Sequence, residues 1–174
     1  MIETTLKSLA TALLVGATFS AWGQAGNGLD NPDWTEEKKP PPPAFSKERA
    51  LPLDMPKFVS VRVGIDPATV SVGKDGVVRY VAVMSNASGN VNAVYEGIRC
   101  ASDQVKTYAR SGTSGQWSLV TEPLWQEVNG NQPSKHAFVF ARLAACDTRV
   151  ANRLDDVIKA LQTQQKPRSA KATF

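Results

Sequence analysis

Between Val77 and Cys100 the chain repeats a two-residue pattern that leaves few folds open. Two runs rich in Val, Tyr and Ile, residues 77–85 and 91–100, flank Asn86-Ala-Ser-Gly-Asn90. Such residues suit a pleated, half-buried surface. Gly89 supplies the positive-φ position that a short hairpin loop needs. A hairpin symmetric about Ser88 places Val83 opposite Ala93, Val81 opposite Tyr95, Ala82 opposite Val94, Tyr80 opposite Glu96 and Val78 opposite Ile98. Paired residues share a face. One face then carries Val78, Ala82, Val94, Ile98 and Cys100 and is expected to meet the core. The other carries Arg79, Val81, Val83, Tyr95 and Arg99 and is mixed. A slip of one residue would drive both arginines into the core, so the pattern fixes the register.

The neighbouring segments extend the hairpin into a sheet. Gln104–Arg110 reads as a third meander strand. Upstream, the alternation over 58–65 places Val59, Val61, Val63 and Ile65 on one side, a half-buried strand that Asp66-Pro67 ends. Residues 69–72 read as a short strand, 73–76 as a turn, and 117–120 as another short strand. The stretch 123–133 reads as irregular and holds Trp125. Residues 135–145 fit helix or strand, with helix the preferred reading. Val150, Leu154, Val157, Ile158 and Leu161 recur at helical spacing, Asp147 or Thr148 is placed to cap that helix, and Pro167 bars its continuation. The expected fold is α+β: an antiparallel meander sheet of about five strands packed with one or two C-terminal helices.

Several of these residues carry a family likeness. Asp75-Gly-Val-Val-Arg-Tyr80, Ser88-Gly89, Tyr95-Glu-Gly-Ile-Arg-Cys100, Lys106-x-Tyr-Ala109, Trp117, Trp125 and Cys146 resemble the cryptic neisserial protein-like family. Its members are secreted proteins of proteobacterial cell envelopes. The likeness runs from about Asp33 to Leu161, most of the chain. Such proteins often continue Cys-Pro at the second cysteine, where this chain has Cys146-Asp147. The resemblance implies an envelope address and a fold, and no activity.

The N-terminus agrees with that address. Residues 1–23 have the three parts of a secretory signal: Lys7, an apolar run from Leu9 to Phe19, and Ala21-Trp-Gly23 as a small-x-small site, with cleavage expected before Gln24. No cysteine lies near that site, so a lipid-modified mature end is not expected, and no later stretch is apolar enough for a transmembrane span. Residues 24–56, with Glu36-Glu-Lys-Lys39 and Pro40–Pro43, read as a proline-rich linker or an extended segment lying on the domain, onto which Trp34, Phe45 and Leu51 could dock. Residues 57–165 form the expected folded domain, and 166–174 a basic tail. The location reads as periplasmic or outer-membrane associated. A net charge of +4, with scattered Lys and Arg, fits a soluble surface and gives no nucleic-acid signature.

The chain has two cysteines, and with an export signal the default is a disulfide between Cys100 and Cys146. Their spacing is not that of a redox pair, and two thiolates alone make a poor zinc site. One histidine limits catalysis. His136 reads as an exposed or packing residue. No nucleophile elbow, metal-ligand spacing or phosphate-cradling loop is present. No catalytic residue, metal ligand or cofactor is therefore expected, and the chain reads as a non-enzyme. Glu96 stands out, because the hairpin's parity sends this carboxylate to the core face. There it needs a partner such as Tyr80, Tyr108 or an arginine, or else serves as a perturbed acid in a pocket. Arg79, Tyr95, Arg99, Trp117 and Trp125 form a candidate binding surface. The leading expectation is a non-catalytic binding or structural module that meets an envelope protein or glycan. Alternatives are an inhibitor or accessory of a cell-wall hydrolase and an enzyme using Glu96.

Overall fold

The structure is a computed structural model that describes residues 31–130 and 135–167. The expected signal peptide and the tail from residue 168 lie outside the described residues. In chain order the strands are β1 (Leu51–Pro52), β2 (Arg62–Ile65), β3 (Ser71–Val72), β4 (Val77–Ser85), β5 (Val91–Arg99), β6 (Gln104–Ser111), β7 (Trp117–Leu119) and β8 (Gln126–Glu127). Helix α1 (His136–Phe140) runs directly into a π-helical turn (Ala141–Ala145). A small hairpin of β9 (Cys146–Asp147) and β10 (Val150–Ala151) follows, then α2 (Leu154–Thr163).

All eight strands to β8 join one antiparallel sheet in the order β1-β2-β4-β5-β6-β7. The two-residue strands β3 and β8 add to β4 and β6. The expected antiparallel sheet is present, and the two-residue strands β1 and β8, which no periodicity announces, enlarge it beyond about five strands. Gly89 sits at φ 83° in the hairpin loop, and the β4–β5 register is the one derived from parity, including Tyr80 opposite Glu96.

The chain departs from strict pairing at one place. Between β5 and β6, Tyr95 faces Ala109 while Glu96 faces Thr107, so Tyr108 is an extra residue on β6. This bulge sends Tyr108 and Ala109 to the same side and keeps Thr107 on the other. A Cβ at Gly97 would stand 2.5 Å from the Tyr108 hydroxyl oxygen and 2.8 Å from Val77 Cγ1, so only glycine leaves room for the bulged ring.

The two sheet faces are covered differently. Val63, Ile65, Val78, Tyr80, Val94, Ile98 and Val105 pack under α1, the π-turn and α2, which contribute Ala137, Phe140, Ala144, Val157 and Leu161. The Cys100–Cys146 disulfide closes this side, with sulfurs 1.98 Å apart. It joins the residue that follows β5 to the first residue of β9, directly after the π-turn. Val81, Val83, Ala93, Tyr95, Tyr108 and Ala109 form a second cluster on the opposite face, packed against Phe45, Ala50 and Trp117.

Two local expectations are corrected. The strand expected over 58–65 begins only at Arg62, and Phe58 is exposed. Asp147 and Thr148 do not cap a helix: Asp147 pairs with Val150 across a two-residue turn, and α2 starts at Leu154 after Arg153. Val150 is accordingly exposed rather than part of the apolar stripe. Asp155 and Asp156 in the first turn of α2 favour that start by complementing the helix dipole.

Candidate functional site

Two polar assemblies lie against the sheet, one on each face. The first is centred on Glu96, whose side chain is 3 % exposed. Parity points it to the helical side, opposite Tyr80. The Tyr80 hydroxyl donates to Glu96 Oε2 at 2.7 Å, and Thr107 Oγ1 donates to Oε1 at 3.0 Å. His136, the first residue of α1, places Nε2 2.7 Å from Oε2. The Tyr80 ring lies on Phe140 one helical turn further on, with centroids 4.5 Å apart.

Burial alone would raise the Glu96 pKa. The charge of His136 and its hydrogen bond, with those of Tyr80 and Thr107, outweigh it and hold the carboxyl below its ordinary value. Tyr80 is pushed well above the usual phenol range, first by burial and then by the Glu96 charge. A carboxylate in this state is a clamp between sheet and helix. Oε2 takes two of these contacts and Oε1 takes one. Of the partners foreseen for Glu96, Tyr80 is realised. Tyr108 is not, because the bulge turns it to the other face. The histidine's part escaped sequence reasoning, since its 40-residue separation becomes a contact only once α1 is docked.

The second assembly is where residues 34–50 cross the sheet. The four prolines at 40–43 carry no N–H, so laying them on a sheet face leaves few donors to satisfy. Trp34 Nε1 donates to the Asp75 carbonyl at 2.8 Å. Glu36 accepts from Lys106 Nζ at 2.5 Å and from the Tyr108 hydroxyl at 2.6 Å, and lies 3.8 Å from Arg79. Phe45 meets Trp117 edge-on at 5.4 Å, and Trp117 Nε1 donates to the Pro43 carbonyl.

Two buried aspartates fasten the strap. Asp66 accepts from the Ser46 amide at 2.8 Å and from Arg49 at 2.7 Å and 3.1 Å. Asp75 accepts from the Glu37 amide at 3.0 Å and from Arg79 at 2.6 Å and 3.2 Å. Burial opposes charge on both, but the arginine and backbone hydrogen bonds win and depress both pKa values. The Asp66-Pro67 step signals a cap in sequence, and Asp66 does accept from the Ala68 amide. Nothing local betrays its bond to the strap.

The five candidate surface residues are brought together on this side, under or beside the strap. Arg79 and Tyr95 are 3 % and 1 % exposed, so they offer no surface in this structure: the chain's own residues 34–50 cover them. The Arg99 guanidinium stacks on Trp34 at 3.9 Å. Trp125 meets Trp34 edge-on at 5.9 Å and lies under Lys106 at 4.6 Å. Trp117 is half-buried against Phe45.

Among the described residues no group of His, Cys, Asp or Glu is placed to hold a metal ion, and no helix is long and apolar enough to cross a membrane. Residues 29–162 match the model of the CNP1-like family. No curated protein and no solved structure matches the chain.

Proposed function

The chain belongs to the CNP1-like family, and from that premise we propose that it is an exported, non-catalytic binding or structural module of the cell envelope. The observation that supports this reading is the burial and engagement of Glu96. The strongest acid–base candidate in the sequence spends both oxygens on Tyr80, Thr107 and His136 beneath a helix. The disulfide supports export, because such bonds persist in oxidising compartments.

A protein partner is the favoured target, with an accessory or inhibitory role toward a cell-wall hydrolase as the narrower version. Leu119 lies on the edge strand β7 and is 66 % exposed, and an edge strand offers unpaired backbone groups to which a partner chain can add. The test has two arms. Glu96→Gln should lower unfolding stability and leave retention of crosslinked envelope partners, identified by mass spectrometry, unchanged. A stable Glu96→Gln chain that has lost turnover of an envelope substrate would replace the module with an enzyme.

A further inference from the structure

Three unusual backbone features meet at one cavity. It has a volume of about 350 Å³ and lies between the turn before β6, the α1 helix with its π-turn, and the β9–β10 hairpin. Asp103, in the first wall, is left-handed at φ 52°. Thr148, in the hairpin turn, is left-handed at φ 57°. Ala141 and Arg142 open the π-turn. Residues with a Cβ resist the left-handed region, and π-turns are rare, so such features persist where the surroundings impose them and collect at functional sites.

The walls are fixed to one another. The Val128 amide donates to the Asp103 carbonyl at 2.8 Å, and Lys135 Nζ donates to the Gly130 carbonyl at 2.6 Å. Asn152 satisfies the end of the π-turn through the Ala144 and Ala145 carbonyls. The hollow is therefore preformed, and its size is that of a small-molecule site.

Its chemistry is two-sided. Val128, Phe138 and Ala141 give an apolar wall, while Arg142 and Lys166 bring two cations. No carboxylate of the described residues pairs with either cation. The one lining carboxylate, Asp103, has Arg149 Nε at 3.8 Å. Arg142 rests its guanidinium over the Phe138 ring at 5.4 Å, so charge and apolar wall adjoin.

We propose that this cavity binds a small amphiphilic anion, its carboxylate held by Arg142 and Lys166 and its apolar body against Phe138 and Val128. The inference deepens the binding reading above and rests on it. Thr148 and Asn129 add neutral hydrogen-bonding groups at the wall. A cation of the same shape meets two positive charges against the single Asp103 carboxylate, which Arg149 already faces, and a neutral alcohol gains only the apolar contact.

The test is an amide-shift titration of the disulfide-bonded chain with hexanoate, against hexanol and hexylamine. The expected result is saturable shifts at Asn129, Ala141 and Thr148 with hexanoate, weaker ones with hexanol and none with hexylamine. Arg142→Ala, at an exposed position, should keep the melting temperature and weaken hexanoate binding by roughly ten-fold. Lys166→Ala should act in the same direction. Absent shifts, equal binding of hexanol, or unchanged affinity in both variants overturns the site. If hexanoate fails while crosslinking still retrieves an envelope partner, the site falls and the binding reading stands. If hexanoate binds and no partner is retrieved, the site stands and the protein-partner version falls.

Discussion

The two faces of the sheet solve the same problem by different means. The helical face is closed by apolar packing around Phe140, Val157 and Leu161, with a single polar clamp at Glu96. The strap face is closed by an extended segment with no hydrogen-bond ladder of its own. Carboxylates, stacked rings and an arginine–tryptophan contact hold it at separate points. Packing spreads stabilisation over many atoms, whereas point fastening concentrates it in a few groups that can be protonated or substituted. The helical side is therefore expected to answer to loss of volume and of the cross-link, and the strap side to changes of charge.

The largest effects should come from the helical side. Replacing Cys100 and Cys146 by Ser opens a loop whose ends are 46 residues apart and should cost about 4 kcal/mol in the chain-entropy model, read by denaturant unfolding. Phe140→Ala should cost a similar ~3–5 kcal/mol, because the ring is fully buried. Phe45→Ala, at a half-buried ring of the strap, should cost only about 1–2 kcal/mol. Equal losses for the two rings would break the contrast between packing and fastening.

Asp66→Asn comes next, at roughly 2–3 kcal/mol, the worth of hydrogen bonds to a charged group. It should also expose Trp117, seen as a red shift in fluorescence before global unfolding. If strap and sheet melt together in this variant, the strap is no separate unit.

Acid titration tests the same point without substitution. Asp66 and Asp75 have folded-state pKa values below their unfolded ones. Their stabilisation is complete above the unfolded carboxylate value near ~4 and is lost as pH falls through the folded values. The strap should thus hold through neutral pH and loosen only in acid. Loosening that begins near neutrality would point away from the aspartates. The smallest effect is a gain: Thr148→Gly relieves a left-handed threonine and should stabilise the hairpin by about 1 kcal/mol.

Much of the sheet was legible because its signals are local. Alternation and Gly89 fixed the β4–β5 register, and register alone set Glu96 against Tyr80 on the core side. The bulge was not legible, since Tyr108 looks like any alternating residue until β6 is laid on β5. The strap has no periodicity, and its fasteners at Asp66 and Asp75 are 20 and 38 residues from the amides they accept. The β9–β10 hairpin is hidden in the sequence, because Asp147-Thr148 before apolar spacing imitates a helix cap and its turn has no glycine. Arg79, Tyr95, Arg99, Trp117 and Trp125 were legible as neighbours on one side of the sheet, but the strap that lies over Arg79 and Tyr95 was not.

The bulge gives the two faces a common hinge pin. Thr107 holds the carboxylate beneath the helix, and Tyr108, the very next residue, holds Glu36 of the strap. One peptide plane therefore separates the two polar assemblies. The β6 backbone at this point is anchored from both sides at once, by the helical face through Glu96 and by the strap through Glu36.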